Sequence, residues 1–269
     1  MVLIADSGST KTDWSVGCST QGITPVHQTE EQILQILRTE LLPQIDVSQM
    51  TDVCFYGSGV RPEKEQMMTH LLQQVFPQAV KVEAHSDLLG AARALCGHNE
   101  GISCILGTGA NSCLYDGERI VQNTPALGYI LGDKGSGAVL GKRLIHDIYE
   151  GCLSEDLKSL FETETGLTLP AVIDRVYRQP LANRFLASLS QFICRHIEDV
   201  RLQQLVEENF CDFFADSISP YRRPDLPVSF VGSIAWYFQD QLRSAASCLG
   251  YTIGTILRSP LDALVSYHS

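Results

Sequence analysis

The sequence has no apolar segment of membrane-spanning length and no basic run longer than Arg222-Arg223. Its net charge of -11 excludes a general binder of nucleic acid or anionic membranes, because such binders need clustered positive charge. The first apolar segment meets Asp6 after a few residues, so it does not resemble a signal peptide. We therefore expect a cytoplasmic protein with neither a nucleic-acid nor a membrane partner.

Short motifs that mark metal sites and hydrolases are also missing. The nine cysteines include no C-x-x-C pair and the seven histidines form no H-E-x-x-H spacing, so we expect reduced cysteines and no structural metal site. No G-x-S-x-G elbow occurs, which removes support for a hydrolase of that type. The stretch "GSGAVLGKR" is not a Walker A loop, because Arg143 stands where that loop needs serine or threonine.

The first third of the chain alternates strand and helix patterns. The predicted strands are 2–4, 13–17, 53–56 and 79–83, and the predicted helices are 30–42, 63–75 and 88–95. This alternation is typical of an α/β sheet covered by helices. With 269 residues and 44% hydrophobic content, the chain can form one large or two ordinary domains with a sizeable core.

Two segments about a hundred residues apart share one layout. "VLIADSGSTKTDWSV" (2–16) runs from an apolar strand into a loop around Gly8 and back into a strand, and "ISCILGTGANSCLYDG" (102–117) does the same around Gly-Thr-Gly. Such loops suit phosphate, because backbone N–H groups approach the oxygens closely and Lys11 adds a point charge. An ordinary hairpin turn explains one loop as well, but the pair predicts a duplicated architecture with two phosphate-facing hairpins.

The second half of the chain follows a different pattern. After a glycine-rich stretch at 128–144, the sequence predicts mainly helices over 140–218, a strand within 226–236, a helix to about 249, a strand near 252–257 and a helix near 260–267. We expect an N-terminal domain at 1–98, with the helix of about 258–269 packed back on it. A C-terminal domain with a helical insertion is expected at 99–257.

Three loops, read together, resemble the phosphate-one, phosphate-two and adenosine motifs of the superfamily that unites actin, heat-shock chaperones and sugar kinases. They are "DSGSTKTD" (6–13), "GTGANS" (107–112) and "FVGSIA" (230–235). The elements "SDLLGAARAL" and "GYILGDKGSG" resemble the N-acetylglucosamine kinase-like branch, which also contains the activator ATPases of benzoyl-CoA reductase. The resemblance implies two ribonuclease H-like α/β domains, each with a mixed five-stranded sheet flanked by helices, and an ATP cleft between them.

The resemblance also implies roles for single residues. Asp6 would hold Mg²⁺ through water, and Gly232 and Ser233 would lie against the adenosine of ATP. The residues implied to contact the phosphates are Ser9, Thr10, Lys11, Thr108 and Gly109. Turn capping by Thr10 and close packing at Gly232 are the alternative roles of those two residues.

Asp87 opens the helical segment "LLGAARAL" and is implied as the catalytic base, which accepts the proton of a sugar hydroxyl that attacks the γ-phosphate. From pattern alone, an N-cap carboxylate that accepts backbone N–H groups is the simpler role. Asn111, Asp133 and Gly128 match sugar-contacting positions of the family. Turn chemistry beside glycine is the alternative for Asn111 and Asp133.

Three features on the sugar side depart from the family pattern. Relatives usually read G-D-E-G-S where this chain has Lys134, and they often carry asparagine where this chain has Thr24. The segment between Val16 and Thr29 is also short for the usual extra hairpin. Because the nucleotide side is nearly intact, the sequence supports ATP binding better than it supports N-acetylglucosamine as the acceptor.

The leading prediction is an ATP-dependent kinase that phosphorylates N-acetylglucosamine or a related amino sugar or hexose, with ATP and Mg²⁺ as cofactors. One alternative is an ATPase that activates a partner reductase, although no cysteine adjoins the motif where that class bridges an iron-sulfur cluster. Another is a sugar or nucleotide sensor without turnover, which the departures at Lys134 and Thr24 favour. A homodimer is a further expectation, since 44% hydrophobic content leaves room for an apolar face.

Overall fold

The computed structural model describes residues 1–8 and 10–269, so Ser9, one of the predicted phosphate contacts, lies outside the described residues. The chain divides into two compact units. Unit 1 contains Met1–Glu100, Tyr115–Ile120 and Ser259–Ser269, and unit 2 contains Gly101–Leu114 and Val121–Arg258.

Among the described residues, most strands belong to the first half of the chain and most helices to the second half. The strands are β1 (Val2–Ser7), β2 (Lys11–Trp14), β3 (Cys18–Gln21), β4 (Asp52–Gly57), β5 (Lys81–Ser86), β6 (Gly101–Leu106), β7 (Ala110–Tyr115), β8 (Ile120–Thr124), β9 (Val228–Val231) and β10 (Ile253–Leu257). The α-helices are α1 (Glu30–Ile36), α2 (Pro62–Val75), α3 (Asp87–Cys96), α4 (Gly128–Leu131), α5 (Gly137–Tyr149), α6 (Glu155–Thr165), α7 (Leu169–Tyr177), α8 (Ala182–Ser188), α9 (Ser190–Arg195), α10 (Val200–Phe213), α11 (Ser233–Tyr237), α12 (Gln239–Cys248) and α13 (Leu261–Tyr267). Two π-helical turns (Leu37–Leu41, Phe214–Ile218) and three 3₁₀ turns (Leu42–Gln44, Val47–Gln49, Ser219–Tyr221) continue or follow these helices.

Unit 1 is built on a five-stranded sheet with the order β3-β2-β1-β4-β5. β2 runs antiparallel to β1 and β3, whereas β1, β4 and β5 are parallel. Because β1 and β4 lie inside the sheet and are covered on both faces, their residues are almost all buried, as is usual for parallel strands. One buried cluster includes Leu3, Trp14 and Phe55, and another includes Ile4, Tyr56 and Leu264 of α13.

Local sequence signals explain where the helices of unit 1 begin and end. A capping box starts α1, since the Thr29 side chain accepts from Gln32 N–H and the Gln32 side chain accepts from Thr29 N–H. Pro62 occupies the first turn of α2, where its missing N–H costs nothing. The predicted helix over 30–42 is α-helical only to Ile36, because a π-helical turn and then a 3₁₀ turn with Pro43 follow.

Unit 2 repeats this strand order with a second sheet, β10-β9-β6-β7-β8. β6, β9 and β10 are parallel. Its core contains Leu106, Phe213 and Phe230 among many other apolar side chains. The two mixed five-stranded sheets confirm the predicted fold class.

The predicted helical region of 140–218 is present in unit 2 as α5 to α10. A Cβ on Gly141 would collide with the backbone carbonyl of Leu186, so this glycine allows α5 and α8 to pack closely. The helix predicted to follow Ser233 and to run to about residue 249 is instead two helices, which are separated at Phe238.

In the described residues, no pair of cysteines forms a disulfide. No helix within residues 1–8 and 10–269 combines the length and apolarity that crossing a bilayer requires.

Candidate active site

Asp6 and Asp87 lie at the same edge of the unit 1 sheet. Asp6 is the fifth residue of β1 and is level with Tyr56 of β4, whereas Asp87 directly follows β5. The carboxyl ends of parallel strands meet at one edge, and one strand separates β1 from β5, so the two backbones lie roughly 10 Å apart. The sheet therefore brings together the two carboxylates to which the sequence assigned the metal and the base.

The carboxyl group of Asp6 is an unusually weak acid. Burial raises its pKa to about 7, and the negative charges of Asp87 and then Asp13 contribute further. Each of these effects disfavours the charged form of a carboxyl. A bound cation would offset the negative charges of Asp87 and Asp13.

Asp87 is the first residue of α3, but it is not the N-cap. Ser86 is the N-cap, and its Oγ accepts the N–H of Leu89 at 3.2 Å. Asp87 Oδ1 accepts the N–H of Leu88 at 2.9 Å. Burial raises the Asp87 pKa to about 6, although the N–H groups of Leu88 and of Asp87 itself oppose this rise. The carboxyl is thus close to the pKa that suits a base at neutral pH.

Backbone hydrogen bonds hold Gly8 and Thr10, the described residues between β1 and β2. The N–H of Gly8 donates to the carbonyl of Lys11 at 2.9 Å, and the N–H of Gly22 donates to the carbonyl of Thr10 at 3.1 Å. Lys11 begins β2 rather than lying in the loop, and its Nζ is 2.7 Å from Oδ1 of Asp13. Thr10 and Lys11 are both exposed, which leaves their polar groups accessible to a ligand.

The loop between β6 and β7 holds the corresponding residues of unit 2. The N–H of Gly107 donates to the Gly109 carbonyl at 3.0 Å, which closes the turn. The first amides of α5 also anchor this loop, because Gly137 N–H donates to Gly107 O and Ala138 N–H donates to Thr108 O. The start of α5 therefore holds the loop in place.

A cavity of about 590 Å³ lies in unit 2 and adjoins this loop. Thr108 and Ser233, which the sequence assigned to phosphate and adenosine, both line it. Side chains from several helices complete the wall, among them Arg184 of α8 and Tyr237 of α11. The volume is within the range of small-molecule and cofactor sites.

Gly232 connects β9 to α11, and its backbone conformation explains its identity. Its φ is +123°, a region that favours glycine, and a Cβ would collide with the carbonyl of Leu106. Its N–H donates to Leu257 O at 3.0 Å. Gly232 therefore does allow close packing. The turn at this glycine places Ser233 at the first position of α11, beside the cavity.

A second cavity in unit 2, of about 500 Å³, is lined by Asn111 and Asp133. Asp133 has a φ of +56°, which aspartate tolerates better than most residues. Burial raises its pKa, while the Gly128 N–H and the charge of Lys142 lower it. A Cβ on Gly109 would lie 2.9 Å from Oδ2 of Asp133, so Gly109 leaves room for this carboxylate.

Lys134, which replaces the glutamate of the family pattern, forms ion pairs within unit 2. Its Nζ lies 2.8 Å from Oδ2 of Asp216 and 3.9 Å from Oδ2 of Asp212.

In unit 1, Thr24 is buried and its Oγ1 has no hydrogen-bond partner among the described residues. The segment after Val16 contains β3, which completes the sheet without a further hairpin.

Sequence reasoning missed several residues that line the two cavities. Arg184 and Gln191 come from the helical region, where no motif distinguishes them from surface residues, and Tyr237 lies two residues beyond the "FVGSIA" motif. Lys142 lines the second cavity and donates to the carbonyl of Tyr129. The only sequence signal for this role of Lys142 was its position in the glycine-rich stretch at 128–144.

No sequence profile of a known family matches the chain, and no curated protein matches it. Among solved structures, a Porphyromonas gingivalis protein provisionally named N-acetylglucosamine kinase is 45% identical, with a TM-score of 0.96 over 100% of this chain and 98% of its own. A Chromobacterium violaceum protein with the same provisional name is 18% identical, with a TM-score of 0.71 over 100% and 98%. A ROK hexokinase from Thermus thermophilus is 13% identical, with a TM-score of 0.55 over 98% and 97%.

The last two similarities show the fold alone, which is the two-domain fold of actin-like ATPases. The Porphyromonas gingivalis protein is similar in sequence as well as in structure, over essentially the whole of both chains. The chain therefore belongs to the N-acetylglucosamine kinase-like family of the actin-like ATPase superfamily.

Proposed function

We propose that the protein is an ATP-dependent sugar kinase that phosphorylates a hydroxyl of N-acetylglucosamine or of a related amino sugar or hexose. The name of the Porphyromonas gingivalis relative, at 45% identity, supports this class of acceptor. The observation that supports it most directly in the molecule itself is the Asp87 carboxyl, which stands at a strand end with a pKa raised to about 6.

Asp87 acts as the general base of this reaction. Its carboxylate takes the proton of the sugar hydroxyl while the hydroxyl oxygen forms a bond to the γ-phosphorus of ATP and the bond to the β-phosphate oxygen breaks. The hydrogen bond from Leu88 N–H holds one carboxylate oxygen in place. The products are ADP and a sugar phosphate.

Asp6 is the residue that would hold Mg²⁺, through water. These surroundings fit a hard cation. Carboxylate oxygens are the ligands that Mg²⁺ prefers, and Asp87 and Asp13 concentrate negative charge near Asp6. Magnesium bound with ATP supplies neutralisation of charge on the phosphates.

Nucleotide contacts are assigned within each unit separately. In unit 1, we assign phosphate contacts to Thr10 and Lys11, together with Ser9. In unit 2, the proposed contacts are Thr108 and Gly109 for phosphate and Gly232 and Ser233 for adenosine. The cavity that Thr108 and Ser233 share supports the assignment in unit 2.

The sugar contacts are assigned to Asn111, Asp133 and Gly128. Asn111 and Asp133 share the second cavity, and a polar amide and a carboxylate suit hydroxyl and acetamido groups. The N–H of Gly128 contacts the Asp133 carboxylate, so its role is to orient that group.

The domain division and the oligomeric state also belong to this proposal. Residues 1–98 with the helix of 258–269, and residues 99–257, act as the two ATPase domains.

A homodimer is supported by an apolar stripe on α7, in which Leu169, Ile173 and Tyr177 are 43%, 47% and 77% exposed. Analytical ultracentrifugation measures the oligomeric state.

Identification of the product tests the function. The chain is incubated with ATP, Mg²⁺ and each of a panel of hexoses and N-acetylhexosamines, and the sugars are analysed by mass spectrometry. A sugar that gains one phosphoryl group supports the proposal. ADP formed without a phosphorylated sugar contradicts it and favours the activator ATPase, and ATP binding without ADP favours the sensor.

A further inference from the structure

His146, Asp147 and Cys152 form a cluster of three potential metal ligands in unit 2. His146 and Asp147 belong to the last turn of α5, and Cys152 lies in the connection to α6. One donor atom of each residue lies within 4.8 Å of those of the other two. Ligand atoms around a tetrahedral zinc ion lie roughly 3.5 Å apart, so small side-chain rotations bring these donors to coordination distance.

The backbone holds this cluster together before any ion binds. Gly151 has a φ of +78°, which lets the chain reverse immediately after α5. The N–H groups of Cys152 and Leu153 then donate to the Asp147 carbonyl at 2.9 and 3.0 Å, and Leu153 is buried. The Arg201 guanidinium donates to the Cys152 carbonyl at 3.3 Å. Cys152 is therefore fixed beside the end of the helix.

Two features beside the cluster favour a cation, whereas the Arg201 guanidinium at the Cys152 carbonyl opposes one. The C-terminal end of a helix carries partial negative charge, and α5 is a 13-residue helix that ends at Tyr149. The Asp147 carboxylate adds a full negative charge, and its Oδ1 lies 3.0 Å from Nδ1 of His146. This contact holds the imidazole beside the Asp147 carboxylate.

The donor set selects the type of ion. Imidazole nitrogen and thiolate sulfur prefer borderline-soft ions, whereas Mg²⁺ and Ca²⁺ prefer oxygen. A zinc-class ion is usually four-coordinate, so three protein ligands leave one position for water. His146 and Cys152 are exposed, which gives an ion direct access.

We propose that His146, Asp147 and Cys152 form a surface site for a zinc-class divalent cation, separate from the magnesium role assigned to Asp6. Binding ties the end of α5 to the connection before α6. Because the ion binds the folded chain, it stabilises that chain in proportion to the logarithm of its concentration relative to Kd.

Cobalt spectroscopy tests this site without any need for kinase activity. The full-length chain is treated with chelator and reductant and titrated with Co²⁺ in the absence of nucleotide. We expect one equivalent to produce the near-ultraviolet charge-transfer band of a cobalt–thiolate bond, and Zn²⁺ to remove that band by displacement. No such band at stoichiometric Co²⁺ would overturn the proposal.

Three variants locate the ligands. Cys152→Ser should abolish the band, and His146→Asn should weaken Co²⁺ binding at least tenfold, because each removes one of three ligands. Cys248→Ser is the matched control, since Cys248 is also exposed but is absent from the cluster, and it should leave the band unchanged. Circular dichroism verifies that each variant is folded. A band that survives both cluster variants, or that Cys248→Ser removes, would contradict the site.

Discussion

Asp6 and Asp87 lie at one edge of the unit 1 sheet, and burial followed by the charge of Asp87 raises the pKa of Asp6 to about 7. Two carboxyl groups that titrate near neutrality are expected where one group binds a cation and the other accepts a proton. The first consequences of this arrangement concern pH.

The rate should depend on the ionisation of Asp87. A general base must be deprotonated, so kcat/KM should rise with pH and level off above the Asp87 pKa of about 6. A pH profile of sugar-dependent ADP release between pH 5 and pH 8, at saturating magnesium, measures this. A profile that stays flat down to pH 5 would argue against Asp87 as the base.

The same carboxyl should cost folding stability at neutral pH. Its folded pKa of about 6 lies above the usual 3.8. The free energy of unfolding therefore falls as pH rises from about 4 to about 6, and the loss is complete above pH 6. The difference corresponds to about 3 kcal/mol at most, and contact with solvent reduces it towards about 1 kcal/mol. Asp87→Asn should therefore stabilise the chain at pH 7.5, and this gain should disappear at pH 4.

Urea unfolding at the two pH values measures this effect. Asp240→Asn is the matched control, because Asp240 is an exposed carboxyl in the first turn of α12. Its free energy of unfolding should change by less than about 0.5 kcal/mol. If Asp87→Asn were less stable than the native chain at pH 7.5, the effect assigned to burial would be wrong.

Tyr237 should contribute to nucleotide affinity, since its ring lines the cavity that Thr108 and Ser233 share. Loss of an aromatic contact is worth about 0.5–1.5 kcal/mol, so Tyr237→Ala should raise the Kd of ATP roughly two- to thirteenfold. Calorimetric titration with a non-hydrolysable ATP analogue measures this. Tyr177→Ala removes an exposed ring outside the cavity and should leave Kd unchanged, whereas equal effects in both variants would refute the assignment.

Lys134 lines the second cavity together with Asn111 and Asp133, but its ammonium pairs with Asp216 and Asp212, so it should matter little for the sugar. Lys134→Met should change the KM of the sugar less than threefold and the stability by less than about 1 kcal/mol, as is typical of partly exposed ion pairs. Asn111→Ala removes a proposed sugar contact and should raise the same KM roughly tenfold or more. Steady-state kinetics measures the KM of the sugar for both variants. A larger increase for Lys134→Met than for Asn111→Ala would mean that Lys134 contacts the sugar.

Local signals were sufficient to predict an α/β sheet covered by helices and the two strand-turn-strand loops, whereas the two mixed five-stranded sheets were implied by the resemblance of three loops to a known superfamily. Apolar strands, glycine turns and a helix that opens with Asp87 are visible within a few residues of one another. The N-cap role considered for Asp87 was wrong because Ser86, one residue earlier, takes that position.

Contacts between distant residues could not be predicted in the same way. The pairing of Lys134 with Asp216 joins positions far apart in the chain, and Tyr237 reaches its cavity only because Gly232 turns the chain at the end of β9. Lys11 was predicted to lie in the loop but begins β2, where it pairs with Gln21 of β3.

The central claim is that this chain transfers phosphate to a sugar with Asp87 as the base. The most direct measurement is ADP release from ATP and magnesium across the sugar panel, for the native chain and for Asp87→Asn. Asparagine keeps the oxygen that accepts Leu88 N–H but cannot take a proton, so the variant should still bind ATP. We predict release that requires one sugar and falls about 10²- to 10⁴-fold in the variant. Release that is independent of sugar, or undiminished in Asp87→Asn, would contradict the account.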